Sequence, residues 1–234
     1  MSINSIKLIS WNIKGISNKV KRYKVLSHLR SLSCDVAMLQ EVHVKETEVM
    51  KLRQRWVGQV FSSPGNGAIL IISGYLQNQK CTLVNIYAPN TGQIDFLSSL
   101  TVVLPKFAGD PILVGGDFNM TGDPLLDRSK RPLPSDRALS AAFTEFKNTL
   151  ALTDVWRTLN PMTREYSFYS KVHNSYSRID FLLLPKELLE NVIDSQIHRI
   201  IISDHAPVPE SIVKDLLCPR GNVGWEYLAY TCII

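Results

Sequence analysis

The sequence has no apolar run long enough to cross a bilayer, and its N-terminus lacks the apolar core of a signal region. Its four cysteines are widely scattered, with no C-x-x-C pair and no histidine at zinc-site spacing beside them: Cys34, Cys81, Cys218 and Cys232. Internal repeats and low-complexity tracts are also absent. These absences argue against a membrane-spanning protein, a structural zinc domain and a repeat array. They predict an intracellular protein with reduced thiols.

The chain does have the composition of one globular domain. Its 234 residues are 45% hydrophobic, which is ordinary for a protein with a single large core. The 26 Lys and Arg residues exceed the 21 Asp and Glu residues and give a formal net charge of +5. This excess is compatible with a phosphate-rich partner, because every neutralised phosphate releases counterions. Many basic proteins bind no nucleic acid, so charge alone selects no function.

Short apolar runs that end on polar residues recur along the chain. The run 111–119 ends in Gly-Gly-Asp-Phe-Asn, which predicts a buried strand and a turn presenting Asp117 beside Asn119. Four further runs have the same design, at 6–12, 36–41, 83–87 and 200–205. Since each run delivers polar side chains from a different part of the sequence, we expect these side chains to meet in one pocket.

Helical spacing of apolar residues predicts four helices, over residues 19–32, 45–55, 91–105 and 135–150. Ser135 or Asp136 is expected to cap the last of them. The bases of the first helix lie mostly off its apolar stripe, where they face either solvent or phosphate.

The remaining strand-like segments complete the predicted pattern. Residues 68–73 and 81–87 are expected to form a hairpin, 166–170 to pair with 178–184, and 191–202 to be extended. Strands and helices alternate only in part, which favours mixed sheets under helices over a purely parallel sheet.

Several side chains at the predicted strand ends suit metal binding or proton transfer. Glu41 and Asp204 offer hard oxygen ligands of the kind that Mg²⁺ prefers, although a salt bridge or a cap would explain either one alone. His205 titrates near neutral pH, and Asp180 is a candidate to accept its second ring N–H and fix the tautomer. The other four histidines stand in contexts that favour surface or packing roles.

Asn12, Asn119 and Tyr87 add uncharged hydrogen-bond donors, which in a charged pocket hold phosphate oxygens or a carboxylate. Taken singly, a strand end, an Asx turn and core packing explain them better. Together with the carboxylates, His205 and the additional Asp117, they form a set that can hydrolyse a phosphate ester. A metal offsets phosphoryl charge, a proton acceptor activates water, and an acid or the metal assists the leaving oxygen.

Six short motifs then occur in an order typical of one family. They are Ser10-Trp11-Asn12, Leu39-Gln40-Glu41, Asn85-Ile86-Tyr87-Ala88-Pro89-Asn90, Gly116-Asp117-Phe118-Asn119, Ser177-Arg178-Ile179-Asp180 and Ser203-Asp204-His205. On these residues the chain resembles the endonuclease/exonuclease/phosphatase superfamily over residues 5–208. The stretches 85–92, 126–129 and 166–170 are most similar to the apurinic-endonuclease-like endonuclease domain of LINE-type, non-LTR retrotransposons.

The resemblance implies a DNase I-like, four-layered α/β sandwich with two packed mixed β-sheets flanked by helices. It implies that Glu41 binds Mg²⁺, which Mn²⁺ can replace, and that Asn12 and Asp204 lie close to the metal. The implied reaction is hydrolysis of a DNA phosphodiester that leaves a 3′-hydroxyl for a reverse transcriptase. We therefore expect DNA as the partner, no membrane and no small-molecule cofactor, a monomer, and a nuclear location.

The resemblance also assigns the remaining candidates. It makes Asp180 the partner of His205, and Asp117 the residue that activates water or protonates the leaving group. Asn119 and Tyr87 are implied to hold the phosphate. A further set matches positions that line the DNA groove, namely Arg128, Ser167 and Ser177.

Two departures from the family pattern qualify the expected fold. Residues 68–80 are shorter than the stretch usual in the family, so core strands are expected to be missing. Pro209 argues against an inner strand after residue 208, because proline cannot donate to the ladder. We therefore predict a domain at 1–208 and an atypical tail at 209–234. Two alternatives stay open beside a retrotransposon-type endonuclease: a degenerate DNA-binding remnant, and a phosphatase or phosphodiesterase of the same superfamily.

Overall fold

Two β-sheets form the centre of the structure, a computed structural model that describes residues 5–44, 52, 56, 59–62, 68–76, 79–107, 109–213 and 225–227. The strands are β1 Ser5–Asn12, β2 Val36–Gln40, β3 Ile69–Leu76, β4 Gln79–Tyr87, β5 Ile112–Asp117, β6 Leu152–Asp154, β7 Phe168–Ser170, β8 Ser175–Ser177, β9 Asp180–Pro185, β10 Val192–Ser195, β11 Val208–Val213 and β12 Trp225–Tyr227. The helices are α1 Lys19–Ser31, α2 Gln93–Val103, α3 Asp136–Thr149 and α4 Val155–Leu159, with 3-10 turns at Leu104–Phe107 and Lys186–Asn191. Within these ranges, no helix has the length and apolar character needed to cross a membrane.

Both sheets mix parallel and antiparallel strands, as predicted. The smaller sheet has the order β10-β11-β1-β2, in which β1 is antiparallel to β11 and parallel to β2. The larger sheet has the order β12-β3-β4-β5-β9-β6, in which β4 and β5 are parallel and the other neighbours antiparallel. β7 and β8 form a separate hairpin.

Three apolar cores hold four layers together. Between the sheets, Leu8 of the smaller sheet belongs to the same cluster as Leu113 of the larger one. The outer face of the smaller sheet packs on α1 around Trp11, and the outer face of the larger sheet packs on α2 and α3 around Phe143. Full burial of each such side chain contributes about 1.5–3 kcal/mol. The layers confirm the predicted sandwich, and they explain why β1 has apolar side chains on both faces, with Ile6 and Leu8 in one core and Ile9 and Trp11 in another.

Two glycines at the end of β5 permit close packing beside the predicted pocket. A Cβ atom at Gly115 would overlap the Met38 sulfur of the opposite sheet. A Cβ atom at Gly116 would overlap the carbonyl of Ile86 on the neighbouring strand. A larger side chain at either position would therefore force apart the elements that carry Asp117.

The position of β9 shows that the predicted pairing of residues 166–170 with 178–184 is wrong. β7 pairs with β8, whereas β9 joins the larger sheet between β5 and β6. All six residues of β9 are buried. Their side chains need cover on both faces of the strand, which an inner position of the larger sheet provides.

β11 corrects the expectation that Pro209 excludes an inner strand. It lies between β1 and β10, with Pro209 opposite Ile9. The Pro209 carbonyl accepts a hydrogen bond from the Gln196 N–H at 3.1 Å, just past the end of β10. In an antiparallel ladder the N–H and C=O of one residue face the same neighbour, so the missing donor of Pro209 costs no bond to β1. The predicted boundary at 208/209 falls inside this strand.

Other expectations are met in part. α3 begins at Asp136, but Ser135 makes no side-chain capping bond, and the Asp136 carboxylate instead accepts the Leu133 N–H at 2.7 Å. In the shortened region, β3 and β4 form the predicted hairpin, and β12 lies along the free edge of β3. The helix predicted at 45–55 lies outside the described residues except for Leu52.

Candidate active site

Strand ends from both sheets converge on one edge of the sandwich. In the smaller sheet, Asn12 ends β1 opposite Gln40, and Glu41 follows directly. In the larger sheet, the ends of β4 and β5 pair Tyr87 with Asp117, and the antiparallel β9 begins with Asp180 opposite Asp117. The sheet topology thus explains why these distant residues meet, as the sequence predicts.

His205 lies between two buried carboxylates. Its Nδ1 is 2.9 Å from Asp180 Oδ2, and its Nε2 is 3.7 Å from Asp117 Oδ2. The backbone carbonyl of His205 accepts a hydrogen bond from Trp11 Nε1 at 3.0 Å, and the ring of Phe168 packs 4.6 Å from the imidazole. Asp180 is therefore the orienting partner of His205, the geometry expected from the sequence.

The two groups that face each other in this arrangement have shifted pKa values. Burial alone would lower the pKa of His205, but the charges of Asp180 and Asp117 outweigh it and raise the pKa to about 9. Burial, followed by the charge of Asp180, raises the pKa of Asp117 to about 7, against the lowering effects of His205 and Asn12. At neutral pH the imidazole is therefore protonated, and Asp117 is close to its titration point, as suits an acid or base.

Asn12 links the acidic groups of the two sheets. Its Nδ2 donates to Glu41 Oε1 at 2.8 Å and to Asp117 Oδ2 at 2.9 Å. Glu41 has a left-handed backbone, with φ of 49°, which is uncommon for a non-glycine residue and typical of functional sites. Burial, then the charge of Glu41 and a hydrogen bond to it, raise the pKa of Tyr87 to about 12. Tyr87 thus contacts the predicted metal ligand.

Asn119 orients Asp117 through its backbone. Its N–H donates to Asp117 Oδ1 at 2.9 Å, and its side-chain Nδ2 donates to the carbonyl of Ala88 at 2.7 Å. Like Glu41, Asn119 has a left-handed backbone, with φ of 51°. The proposed contact of Asn119 with phosphate stays a prediction.

Asp204 is paired with a residue that sequence reasoning missed. Lys14 Nζ forms a hydrogen-bonded ion pair with Asp204 Oδ2. Burial by itself raises the pKa of Asp204, but the hydrogen bond from Lys14 and the charge of His205 lower it below its usual value. In the sequence, the feature that could have indicated this role is the position of Lys14, two residues after Asn12.

Two of the three predicted DNA-groove residues are buried, and their contact with DNA stays a prediction. Ser167 is fully buried, and its Oγ accepts the backbone N–H groups of Ile179 and Asp180, both at 3.1 Å. Ser177 is also buried, at 6% exposure. Through these two bonds the Ser167 hydroxyl positions the backbone of Asp180. Arg128 keeps partial exposure, with Nη2 bonded to Asp136 Oδ1 at 2.7 Å.

A buried ionic network, also missed from the sequence, supports β9. Arg178 is 1% exposed and binds Asp127 through Nε at 2.8 Å and Asp154 through Nη2 at 2.7 Å. Its guanidinium lies over the rings of Trp156 and Phe181. Arg178 stands two residues before Asp180, so the network fixes the start of the strand that carries the His205 partner.

The donor set fits a bound cation. Asp117, Asp180 and His205 place ligand atoms within 4.8 Å of one another, but a protonated imidazole has no free lone pair, so this group would hold an ion only once His205 has lost its proton. The sequence predicts a different set of metal ligands, around Glu41. The side chain of Glu41 is 20% exposed, and its hydrogen bond with Asn12 connects it to the same cluster. The raised pKa of Asp117 reflects buried negative charge in excess, which a divalent cation would compensate.

A buried Asp–His pair, a further carboxylate and amide donors at the edge of a two-sheet sandwich define a class of phosphoester-cleaving proteins. The model of the endonuclease/exonuclease/phosphatase family matches residues 9–205, and the chain belongs to that family.

Individual relatives agree with this assignment. The chain is 28% identical over 86% of its length to a transposon TX1 uncharacterized 149 kDa protein of Xenopus laevis, of which it spans 18%. It is 23% identical over 87% of its length to an exodeoxyribonuclease of Bacillus subtilis, spanning 98% of that protein. The AP endonuclease LMAP of Leishmania major superposes with a TM-score of 0.72 at 18% identity, over 89% of this chain and 88% of that one. The catalytic domain of Xenopus laevis APE2 superposes with a TM-score of 0.70 at 18% identity, over 89% and 93%.

Proposed function

We propose that this protein is a Mg²⁺-dependent DNA endonuclease that hydrolyses a phosphodiester and leaves a 3′-hydroxyl nick. The observation that carries the proposal is the cluster in which His205 lies between Asp180 and Asp117 while Asn12 joins Asp117 to Glu41. The relative named an exodeoxyribonuclease supports DNA as the substrate class.

Asp117 is the proposed proton acceptor from the attacking water. Water oxygen bonds to phosphorus, its proton passes to Asp117, the bond from phosphorus to the 3′ oxygen breaks, and that oxygen takes a proton from solvent water and becomes the 3′-hydroxyl. Protonated His205, held by Asp180, donates a hydrogen bond to the phosphoryl oxygens as negative charge accumulates. Through its hydrogen bond, Asn12 holds the Asp117 carboxylate in a fixed position relative to Glu41, the proposed metal ligand.

Glu41 would hold the divalent cation, with Asn12 and Asp204 close to it. When bound, Mg²⁺ supplies charge stabilisation to the phosphoryl group and the leaving oxygen. Tyr87 steadies Glu41 through their hydrogen bond. Mn²⁺ is expected to substitute, because the donors are oxygen atoms that accept either ion.

A plasmid-nicking assay tests the proposal. We expect conversion of supercoiled DNA to the open circle in Mg²⁺, none with a chelator, and direct extension of the nick by a DNA polymerase, which requires a 3′-hydroxyl. Asp117→Asn should lower the rate by about 10²–10⁴-fold, the usual contribution of general acid–base catalysis. Exposed Glu145 on α3 provides the matched control, since Glu145→Gln removes the same charge away from the cluster. Nicking in the presence of chelator, or an Asp117→Asn variant as active as the control, contradicts the proposal.

The likeness to a transposon protein supports a role in target-primed reverse transcription. Cleaved DNA would then serve as the primer. A phosphatase of the same family is the second hypothesis. Release of phosphate from inositol phosphates, without plasmid nicking, would favour the phosphatase over the endonuclease. A DNA-binding remnant predicts salt-dependent DNA binding with no nick under any metal condition.

A further inference from the structure

Lys14 contacts both sides of the candidate metal region. Its Nζ is paired with Asp204 Oδ2. Its backbone N–H donates to Asn12 Oδ1 at 3.0 Å, which turns the amide nitrogen of Asn12 toward Glu41 and Asp117. One residue therefore neutralises an acid and orients the amide that joins the others.

Hydrogen bonds restrain the backbone of the loop that carries Lys14. Lys14 has a left-handed backbone, with φ of 47°, and the flanking segment is bonded to the chain after β2. The Ile13 N–H donates to Gln40 O at 3.2 Å, and the Gly15 N–H donates to Glu41 O at 2.6 Å. Lys21 Nζ donates to the Lys14 carbonyl at 2.9 Å. The ammonium group is thus presented by a backbone that is fastened on both sides.

We propose that the Lys14 ammonium is a built-in cation of the site, which contacts a phosphate oxygen of the cleaved bond and leaves room for one divalent ion instead of two. The inference rests on the proposed nuclease function. In two-metal sites the ions stand about 3.5–4 Å apart and clamp the attacking and leaving oxygens. Here Asp204 already has a cationic partner, so its charge is not available to hold a second ion.

The chemistry of lysine suits this role. An ammonium is a compact point charge with three N–H donors, and the bond to Asp204 uses one of them. The side chain of Lys14 is 60% exposed, so a phosphate can reach the remaining donors. Lysine thus supplies positive charge where a second metal would otherwise supply it.

Counting bound ions tests this inference without measuring activity. Mn²⁺ titration by calorimetry and electron paramagnetic resonance should give one ion per chain for the wild type and two for Lys14→Asp, which removes the cationic partner of Asp204 and adds a second carboxylate. Lys106, exposed in the 3-10 turn that follows α2, offers the control Lys106→Asp, which should still bind one ion. Two ions in the wild type, or one in Lys14→Asp with an unchanged melting temperature, overturns the inference.

Single-turnover nicking gives an independent readout. Lys14→Met should slow cleavage by about 100-fold, the range seen when one transition-state donor is removed, and Lys14→Arg should recover most of it. A Lys14→Met variant that nicks at the wild-type rate defeats the inference while the proposed function stands. If the wild type nicks no DNA, the proposed function fails, and the ion count alone decides the role of Lys14.

Discussion

Replacing Arg178 with methionine should destabilise the protein severely. The guanidinium is 1% exposed and bonds two carboxylates, Asp127 and Asp154, so its removal leaves buried negative charge. Breaking a buried ion pair by removing one partner costs about 3–5 kcal/mol, against a total stability of about 5–15 kcal/mol. Asp127 keeps the bond from Arg157 Nη2 at 2.5 Å, which places the expected cost toward the lower end.

Urea unfolding followed by circular dichroism measures this loss. With a slope of about 3 kcal/mol per molar urea, the midpoint of Arg178→Met should fall by about 1–1.5 M. Arg178→Lys keeps the charge but not the planar fork, so we expect a smaller loss. Arg137→Met, at an exposed position of α3, controls for the change of residue type and should shift the midpoint little. A loss below about 1 kcal/mol in Arg178→Met would refute the view that this network supports β9.

Two further predictions concern titration. The nicking rate should follow a bell-shaped pH profile, rising as Asp117 ionises and falling as His205 loses its proton, whose pKa values in the metal-free site are about 7 and about 9, and a rate that falls neither at acid nor at alkaline pH would exclude the assigned roles. Glu210 is fully buried, and burial, then the charge of Asp154, raises its pKa well above the usual value. Because the folded pKa exceeds the unfolded one, wild-type stability is retained below about pH 4.5 and lost as pH rises toward the folded value. Glu210→Gln cannot ionise, so urea titrations should show its stability relative to the wild type increasing by about 1 kcal/mol or more from acid to neutral pH, and a constant difference would contradict this.

Much of the site could be predicted because its residues stand at the ends of apolar runs. Asp117 ends one buried strand and Tyr87 ends its parallel neighbour, while Glu41 follows a strand of the other sheet. Lys14 and Arg178 were missed because nothing local in the sequence specifies their partners, Asp204 and Asp127, which lie far along the chain.

The errors in strand assignment have a related cause. Periodicity identifies residues 180–185 as a strand but carries no information on which sheet will take it. The expectation for Pro209 failed because a sequence does not show toward which neighbour a missing N–H points. Ser167 matched a family motif, but its burial under the β9 backbone decides what its hydroxyl does.

The hydrogen bond from Asn12 to Asp117 joins one sheet to the other, so the geometry of the candidate site depends on how the two sheets are aligned. A slip of about 1 Å between the layers would leave each sheet intact and yet cost on the order of 100-fold in rate. Substitutions between the sheets, such as at Met38 where it contacts Gly115, are thus expected to abolish activity while the protein remains folded. Tolerance to mutation should therefore be low along the contact between the two sheets, and not only among the residues of the candidate site.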